Sequence, residues 1–402
     1  MVQTTERSTF LVLFTTVFLD FLGFALILPY IFFYAESFGA SPLVYGLLLS
    51  SYSLAQFVFT PIWGNLSDRF GRRKIILACL MGSGLSYMIF GLATNLSLLF
   101  FSRIASGAMA ATFPVAGAYI ADITTPETRF QYMGRIGAAF GLGMIIGPAI
   151  GGTLSGLYGY AVPSLLAATI AFSNLALGYL KLPESLINRQ VNSKRESLAS
   201  TFKSVAAKHD MKVLLSTFFI TMVAFFVMEG TATPWMQRIF GFGPFQAGLI
   251  FFYIGMVIAI VQGLVVPKLA KRYSPQLLLM LGITAVASGL AMLGSITTHN
   301  LPALVLSSTM IPLGMGFSIA SVNTLVSLKA SADQQGSTLG VTYSVSGIAQ
   351  IVGPAIGASM FGYGISGGID GLPFMISATV TIPAIIMSIR LNRLLSSSRR
   401  VS

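Results

Sequence analysis

Twelve apolar runs, each about 20 residues or longer, follow one another through this sequence with only short polar turns between most of them. A hydrocarbon layer about 30 Å thick needs about 20 apolar residues to cross it as a helix. Inside lipid every backbone N–H and C=O has to be paired within the chain, so runs of that length fold as helices. They lie near 10–35, 43–66, 74–94, 96–121, 131–157 and 161–182, and, after a polar interval, near 211–234, 245–267, 275–296, 301–326, 335–362 and 371–392. The expected fold is an all-α multi-pass membrane protein with 12 transmembrane helices. Composition agrees: 9% of residues are charged and 54% hydrophobic, where a soluble chain carries roughly a quarter charged residues. Such a chain cannot cover its surface with polar groups, so lipid has to solvate much of it. The short polar segment from Met1 to Phe10 leads into the first run with no visible cleavage site, and reads as the approach to a spanning helix rather than a removed signal.

The two sets of six runs repeat. Gly147-Pro148-Ala149-Ile150-Gly151 returns as Gly353-Pro354-Ala355-Ile356-Gly357, and Phe38-Gly39 with Gly46 returns as Phe240-Gly241 with Gly248. The expected organisation is a six-helix bundle over 1–182, a linker over 183–210 and a second, pseudo-symmetric six-helix bundle over 211–402. A parallel repeat of this kind places a binding site near the membrane midplane between the halves. The linker reads as a solvated tether, with a surface amphipathic helix over Ser197 to His209 as the alternative.

The basic residues set an orientation. With the N-terminus in the cytoplasm, all 24 Lys and Arg fall on the cytoplasmic side except Arg238, outside, and Arg103, within a span. Both termini are therefore expected in the cytoplasm of a cell with this protein in its plasma or inner membrane. The net charge of +12 becomes a topology signal, which removes nucleic acid as a partner. One cysteine, Cys79, excludes an internal disulfide, and two distant histidines, His209 and His299, leave no Cys/His metal site. No nucleophile–base set and no phosphate-cradling ATP loop is visible. The chain is expected to be no enzyme, to need no metal or cofactor, and to draw energy from an ion gradient.

Against so apolar a background, a few polar residues stand out. Asp20 lies about 15 Å into the first helix, where a bare carboxylate costs several kcal/mol unless neutralised, hydrated or paired. It is a candidate proton carrier. Arg103, in the fourth helix, cannot shed its charge and needs a partner; it is expected to couple to Asp20. Glu229, in the seventh helix, could bind a cationic substrate or a second proton, or be hydrated in an outer vestibule. Gln56, Asn174, Gln262, Asn323 and Gln350 are polar candidates for a pore lining. Phe24, Tyr30, Phe140, Phe226 and Tyr253 are aromatic candidates for contact with a lipophilic substrate. Gly143, Gly147 and Gly151, spaced by four, form a smooth stripe that permits close helix contact, and Pro148 among them favours a kink. The turn from Gly64 to Lys74 holds four cations and one carboxylate. Gly64 leaves room for another helix, Gly71 suits a tight turn, Asp68 can accept from the first amides of a facing helix, and Arg72 can pair with Asp122. These residues read as a gate on the cytoplasmic side.

Four motifs carry a resemblance. They are Leu19 to Pro29, Gly64 to Lys74, Ser102-Arg103-Ile104-Ala105-Ser106-Gly107, and Gly141 to Gly152. Together and in this order they resemble the major facilitator superfamily, and most of all its twelve-helix drug:proton antiporters, with tetracycline-resistance exporters as near relatives. The resemblance implies efflux of small lipophilic or cationic compounds in exchange for protons, by alternating access of two rocking halves in a functional monomer. It also implies that Asp68 faces helix 11, which begins near Gln335-Gly336. The alternative is a proton-coupled symporter of a sugar or organic metabolite. The sequence departs from the tetracycline exporters in the third helix, where they carry an acid and Ser86 stands here. Tetracycline is therefore a doubtful substrate, and a proton path centred on Asp20 is expected instead.

Overall fold

The computed structural model describes residues 2–186, 209–329 and 335–398. All regular structure among the described residues is helical. Twelve helical segments among them are long and apolar enough to cross a bilayer, and we number them spans 1 to 12: Thr9–Ile27, Pro42–Phe70, Arg72–Gly91, Leu96–Ile123, Gln131–Tyr158, Ala161–Lys181, His209–Phe240, Pro244–Ala270, Pro275–Ser295, Leu301–Leu328, Thr338–Gly367 and Leu372–Arg390. Each apolar run of the sequence corresponds to one span. The proposed surface helix over 197–209 lies, apart from His209, outside the described residues, as does most of the linker.

Three spans depart from uniform α-helix. The first run stops at Ile27, and a separate short helix, Ile31–Ser37, follows. Pro29 sits in the gap, and its missing N–H breaks the ladder there. Span 4 is two helices, Leu96–Met109 and Thr112–Ile123. Pro114 accounts for this break, because its ring would strike the carbonyl four residues earlier, that of Ala110. Span 8 runs as α-helix over Pro244–Ile260, takes a π-helical turn over Val261–Val265, and ends in Val266–Ala270.

The packing repeats as the sequence does. Span 1 packs on spans 5 and 6, and span 3 packs on spans 4 and 6; six spans later, span 7 packs on spans 11 and 12, and span 9 on spans 10 and 12. Gly39 and Gly241, equivalent in the two halves, both take positive φ, 79° and 65°.

The chain forms two compact units. One comprises Met1–Ala40, Ser51–Ser193 and Phe242–Gly255, the other Ser41–Ser50, Lys194–Gly241 and Met256–Ser402. Relative to the halves of the sequence, the start of span 2 is counted with the second unit and the start of span 8 with the first. Glycine makes both attachments possible. In the second unit a Cβ at Gly46 would strike Pro354 and Ala358 of span 11, and in the first a Cβ at Gly248 would strike Pro148 and Gly152 of span 5. The first unit's core draws Leu13 and Val17 from span 1, Ile76 and Leu80 from span 3, Val115, Tyr119 and Ile120 from span 4, and Ile136 and Ala139 from span 5.

A charged latch and a membrane-depth carboxylate

The Gly64–Lys74 turn joins spans 2 and 3, and its charges are largely satisfied inside the first unit. Arg72 opens span 3 and is buried. Its Nε donates to Asp122 Oδ2 on span 4 at 3.1 Å, and a guanidinium N–H donates to Ser67 Oγ at 2.7 Å. The same nitrogen forms an ion pair with Asp68, one helical turn earlier in sequence. A fourth contact comes from a residue the sequence did not single out: Glu184 Oε1 accepts the backbone N–H of Arg72 at 2.8 Å. Ser185 Oγ donates to Asp122 Oδ2 at 3.0 Å, and Tyr119 Oη donates to the Pro183 carbonyl at 2.7 Å. The start of the linker is thus sewn to the turn. Gly71 is required twice over. Its φ is +106°, and a Cβ there would run into the Glu184 carboxylate.

Two expectations for the turn concern a facing helix. Among the described residues a Cβ at Gly64 would meet nothing within 4 Å. The Gly64 carbonyl accepts Ser67 Oγ at 2.8 Å. The end of span 11 proposed for Asp68 begins near Gln335-Gly336, whose side chains lie outside the described residues.

Near the middle of span 1, Asp20 faces the side chain of Thr112, the first residue after the break in span 4. Arg103 lies in the other half of span 4 and is buried, with its guanidinium 4.3 Å from the Tyr52 ring centroid and 5.8 Å from that of Phe24. The Tyr52 and Phe24 rings are themselves 5.1 Å apart. A guanidinium over two aromatic faces is held by the negative potential of the rings. The expected coupling of Arg103 to Asp20 has a shared surrounding: Tyr52 and Tyr87 each lie in electrostatic reach of both charges. The break is also anchored from span 2, where Trp63 Nε1 donates to the Ala108 carbonyl at 2.6 Å and Gln56 Nε2 to the Ala110 carbonyl at 3.5 Å. Carbonyls that the broken helix leaves without their usual donors are satisfied in this way.

The glycine stripe of span 5 is a contact with span 1. A Cβ at Gly143 would meet Phe18, Phe21 and Leu22; one at Gly147, Ala25; one at Gly151, the Leu26 backbone. Pro148 lies within the continuous helix Pro126–Tyr158. Phe140, on the same span, meets Phe21 and Phe113 with ring centroids 4.5 and 5.7 Å away. In the second unit, Phe226 and Val227 of span 7 take the matching glycines of span 11, Gly353 and Gly357. Glu229 follows two residues later, half-buried, with no hydrogen bond or ion pair to a described residue.

The remaining polar candidates divide. Asn174 is fully buried and donates to the Thr16 carbonyl at 2.9 Å, so it ties span 6 to span 1 and lines no pore. Tyr30 is likewise structural: its hydroxyl is 2.8 Å from Ser164 Oγ, and its ring stacks on Tyr160. Gln262 is exposed on the π turn of span 8. Asn323 and Gln350 are half-buried in spans 10 and 11.

The sequence model of the Major Facilitator Superfamily matches residues 13–354, most of the chain. The chain belongs to the major facilitator superfamily. It is accordingly a multi-pass membrane transporter and not an enzyme. Among curated relatives, the class C tetracycline resistance protein of Escherichia coli is 31% identical, over 94% of this chain and 97% of its own. Multidrug resistance protein 2 of Bacillus subtilis is 30% identical, over 94% and 93%. Solved structures share the fold. The human organic anion transporter MFSD10 aligns with TM-score 0.70 at 24% identity, covering 95% of this chain and 99% of its own. The nucleoside transporter NupG aligns with TM-score 0.77 at 15% identity, covering 95% and 98%.

Proposed function

We propose that this facilitator exports small lipophilic or cationic compounds in exchange for protons, with Asp20 as the proton-carrying residue. The observation that carries the reading is a carboxylate near the middle of span 1 that lies beside a neutral hydroxyl, that of Thr112. Its anion is costly at that depth, so the site favours cycling between charged and neutral forms over holding either permanently. Kinship with proteins named for tetracycline and multidrug resistance supports a drug-like cargo. Glu229, a carboxylate with no partner among the described residues, suits a cationic cargo or a second proton. The distribution of Lys and Arg supports both termini in the cytoplasm and residence in the cell membrane. In this reading the Arg72 latch closes the cytoplasmic side during alternating access, the proton gradient is the energy source, no cofactor takes part, and the monomer is the working unit.

The test uses purified protein in liposomes with an imposed pH gradient and a panel of lipophilic cations and neutral drugs. Gradient-driven accumulation that disappears in Asp20→Asn supports the reading. Gradient-independent transport of a sugar, or full coupled transport by Asp20→Asn, overturns it.

A further inference from the structure

The half-helix Thr112–Ile123 is isolated at both ends. The Pro114 break separates it from the outer part of span 4, and at Thr124 the backbone turns to an extended conformation, φ −121° and ψ 150°. Between these points it is rigid on one side: Thr112, Val115, Ala116, Tyr119 and Ile120 form a buried stripe at helical spacing. Its two termini meet two charged features of this unit. Thr112, its first residue, faces Asp20. Asp122, its penultimate residue, accepts Arg72 Nε and Ser185 Oγ.

We propose that this half-helix is a lever that transmits the charge state of Asp20 to the Arg72–Asp122 latch. The proposal rests on Asp20 as the proton carrier, and concerns how its protonation is felt elsewhere.

The physical argument concerns the uncapped end. Residue Ala111 occupies the N-cap position and has no side chain to cap with. The Thr112 hydroxyl is buried and lies beside the Asp20 carboxylate. Helix N-termini carry a partial positive charge, and Asp is among the preferred residues for capping them. An ionised Asp20, reaching over from span 1, supplies that missing anionic cap, and Thr112 Oγ1 is the donor nearest to it. When Asp20 takes a proton, the attraction falls and the hydroxyl loses its strong acceptor. Other titratable or charged groups in reach of Asp20 are Tyr52 from span 2, and Tyr87 and Cys79 from span 3. Arg103 acts on the same two tyrosines. Among the described residues no second carboxylate is in this group, so the charge change at this end of the half-helix is assigned to Asp20.

In this proposal the turn before the half-helix is the fixed point of the lever. Trp63 and Gln56 hold the preceding turn, through Ala108 and Ala110, to span 2. Twelve residues at 1.5 Å each give a rod about 18 Å long. A small tilt at Thr112 therefore reappears at Asp122, where a hydrogen bond of 3.1 Å has little tolerance for displacement.

Amide hydrogen exchange over residues 119–125 of the purified full-length protein in lipid nanodiscs reads the latch end directly. Asp20→Asn, which fixes the neutral form, is expected to change exchange there by about fivefold or more, the lower range of measured site-to-site couplings. Thr112→Val should abolish that response, with Thr112→Ala as the substitute should valine prevent folding. Thr112→Ser, which keeps the hydroxyl, should retain it. Unchanged exchange across span 3 serves as the control for folding. An Asp20→Asn response that is equally large with Thr112→Val or Thr112→Ala overturns the lever. Loss of coupled transport in Asp20→Asn with no change in exchange at 119–125 overturns the lever and leaves the proposed function standing. Unchanged transport and unchanged exchange overturn both.

Discussion

Arg72 Nε and Asp122 Oδ2 stand 3.1 Å apart, binding the first turn of span 3 to the last turn of span 4. Because the same guanidinium also serves Asp68 and Ser67, one side chain neutralises two carboxylates that are remote in sequence. Arg72→Ala leaves those carboxylates facing each other without a cation. The expected loss of stability is about 1–3 kcal/mol, the range for hydrogen bonds to charged groups. Arg72→Lys keeps the charge but has no fork to span three acceptors, and should recover only part of that loss. Thermal unfolding in detergent checks both. The loss should shrink at high salt, since both carboxylates retain some solvent exposure.

Gly71→Ala separates two causes of strain. The backbone, at φ +106° and ψ 149°, lies in a region almost reserved for glycine, where another residue costs about 1–3 kcal/mol. The added methyl also strikes Glu184. The double variant Gly71→Ala with Glu184→Ala should therefore recover the steric part only. A double variant as stable as Glu184→Ala alone would show that the backbone conformation carries no cost. Melting temperatures of the four proteins make the comparison.

Span 5 offers an internal control. Gly151→Ala pushes a methyl into the Leu26 backbone, whereas Gly141→Ala enters open space among the described residues. The first should destabilise by about 1–3 kcal/mol, the range for overpacking, and reduce transport. The second should be neutral or slightly stabilising, because alanine is the better helix former by about 1 kcal/mol in water. Unfolding and transport measured on the pair would reveal whether the stripe is a packing requirement or merely a run of small residues.

Glu229→Gln replaces a half-buried carboxylate that has no described partner with a neutral amide of the same shape. The substitution should raise the melting temperature, by an amount corresponding to about 1 kcal/mol or more. In the proposed function it should also weaken transport of cationic compounds more than of neutral ones. A lower melting temperature would mean that the carboxylate is held by a favourable interaction.

Much of the fold is legible because lipid imposes a single demand, long apolar helices, and the sequence meets it twelve times. The breaks are not: Pro29 and Pro114 stand where helices stop, but Pro61, Pro148, Pro234, Pro312, Pro354 and Pro383 lie inside continuous helices, so a proline alone does not mark one. The candidate site is harder. Hydropathy shows that Asn174 is polar within an apolar span, but a polar group facing a neighbouring backbone looks the same in sequence as one facing a pore. Its bond to the Thr16 carbonyl settles the matter in favour of a tether. Glu184 escaped notice for the opposite reason. It sits at the edge of a charged linker, where acids are unremarkable, and only the packing of span 6 on span 3 brings it to the Arg72 amide. The pairing of Arg72 with Asp122 was readable because both lie at helix ends on the same side. The setting of Arg103 against Tyr52 and Phe24 is not legible, since a guanidinium can be held by aromatic faces as well as by an anion.

The π-helical turn at Val261–Val265 carries a consequence for the geometry of span 8. A turn bonded i to i+5 accommodates one residue more than an α-helical turn, with almost no gain in height. Everything after it, Lys268 included, is rotated by about a third to a quarter of a revolution from where a helical wheel begun at Pro244 would draw it. The face that span 8 shows near its basic end is therefore set by this one supernumerary residue. Deleting a single residue between 261 and 265 should leave the span's length nearly intact while turning its last helical segment to a different compass bearing.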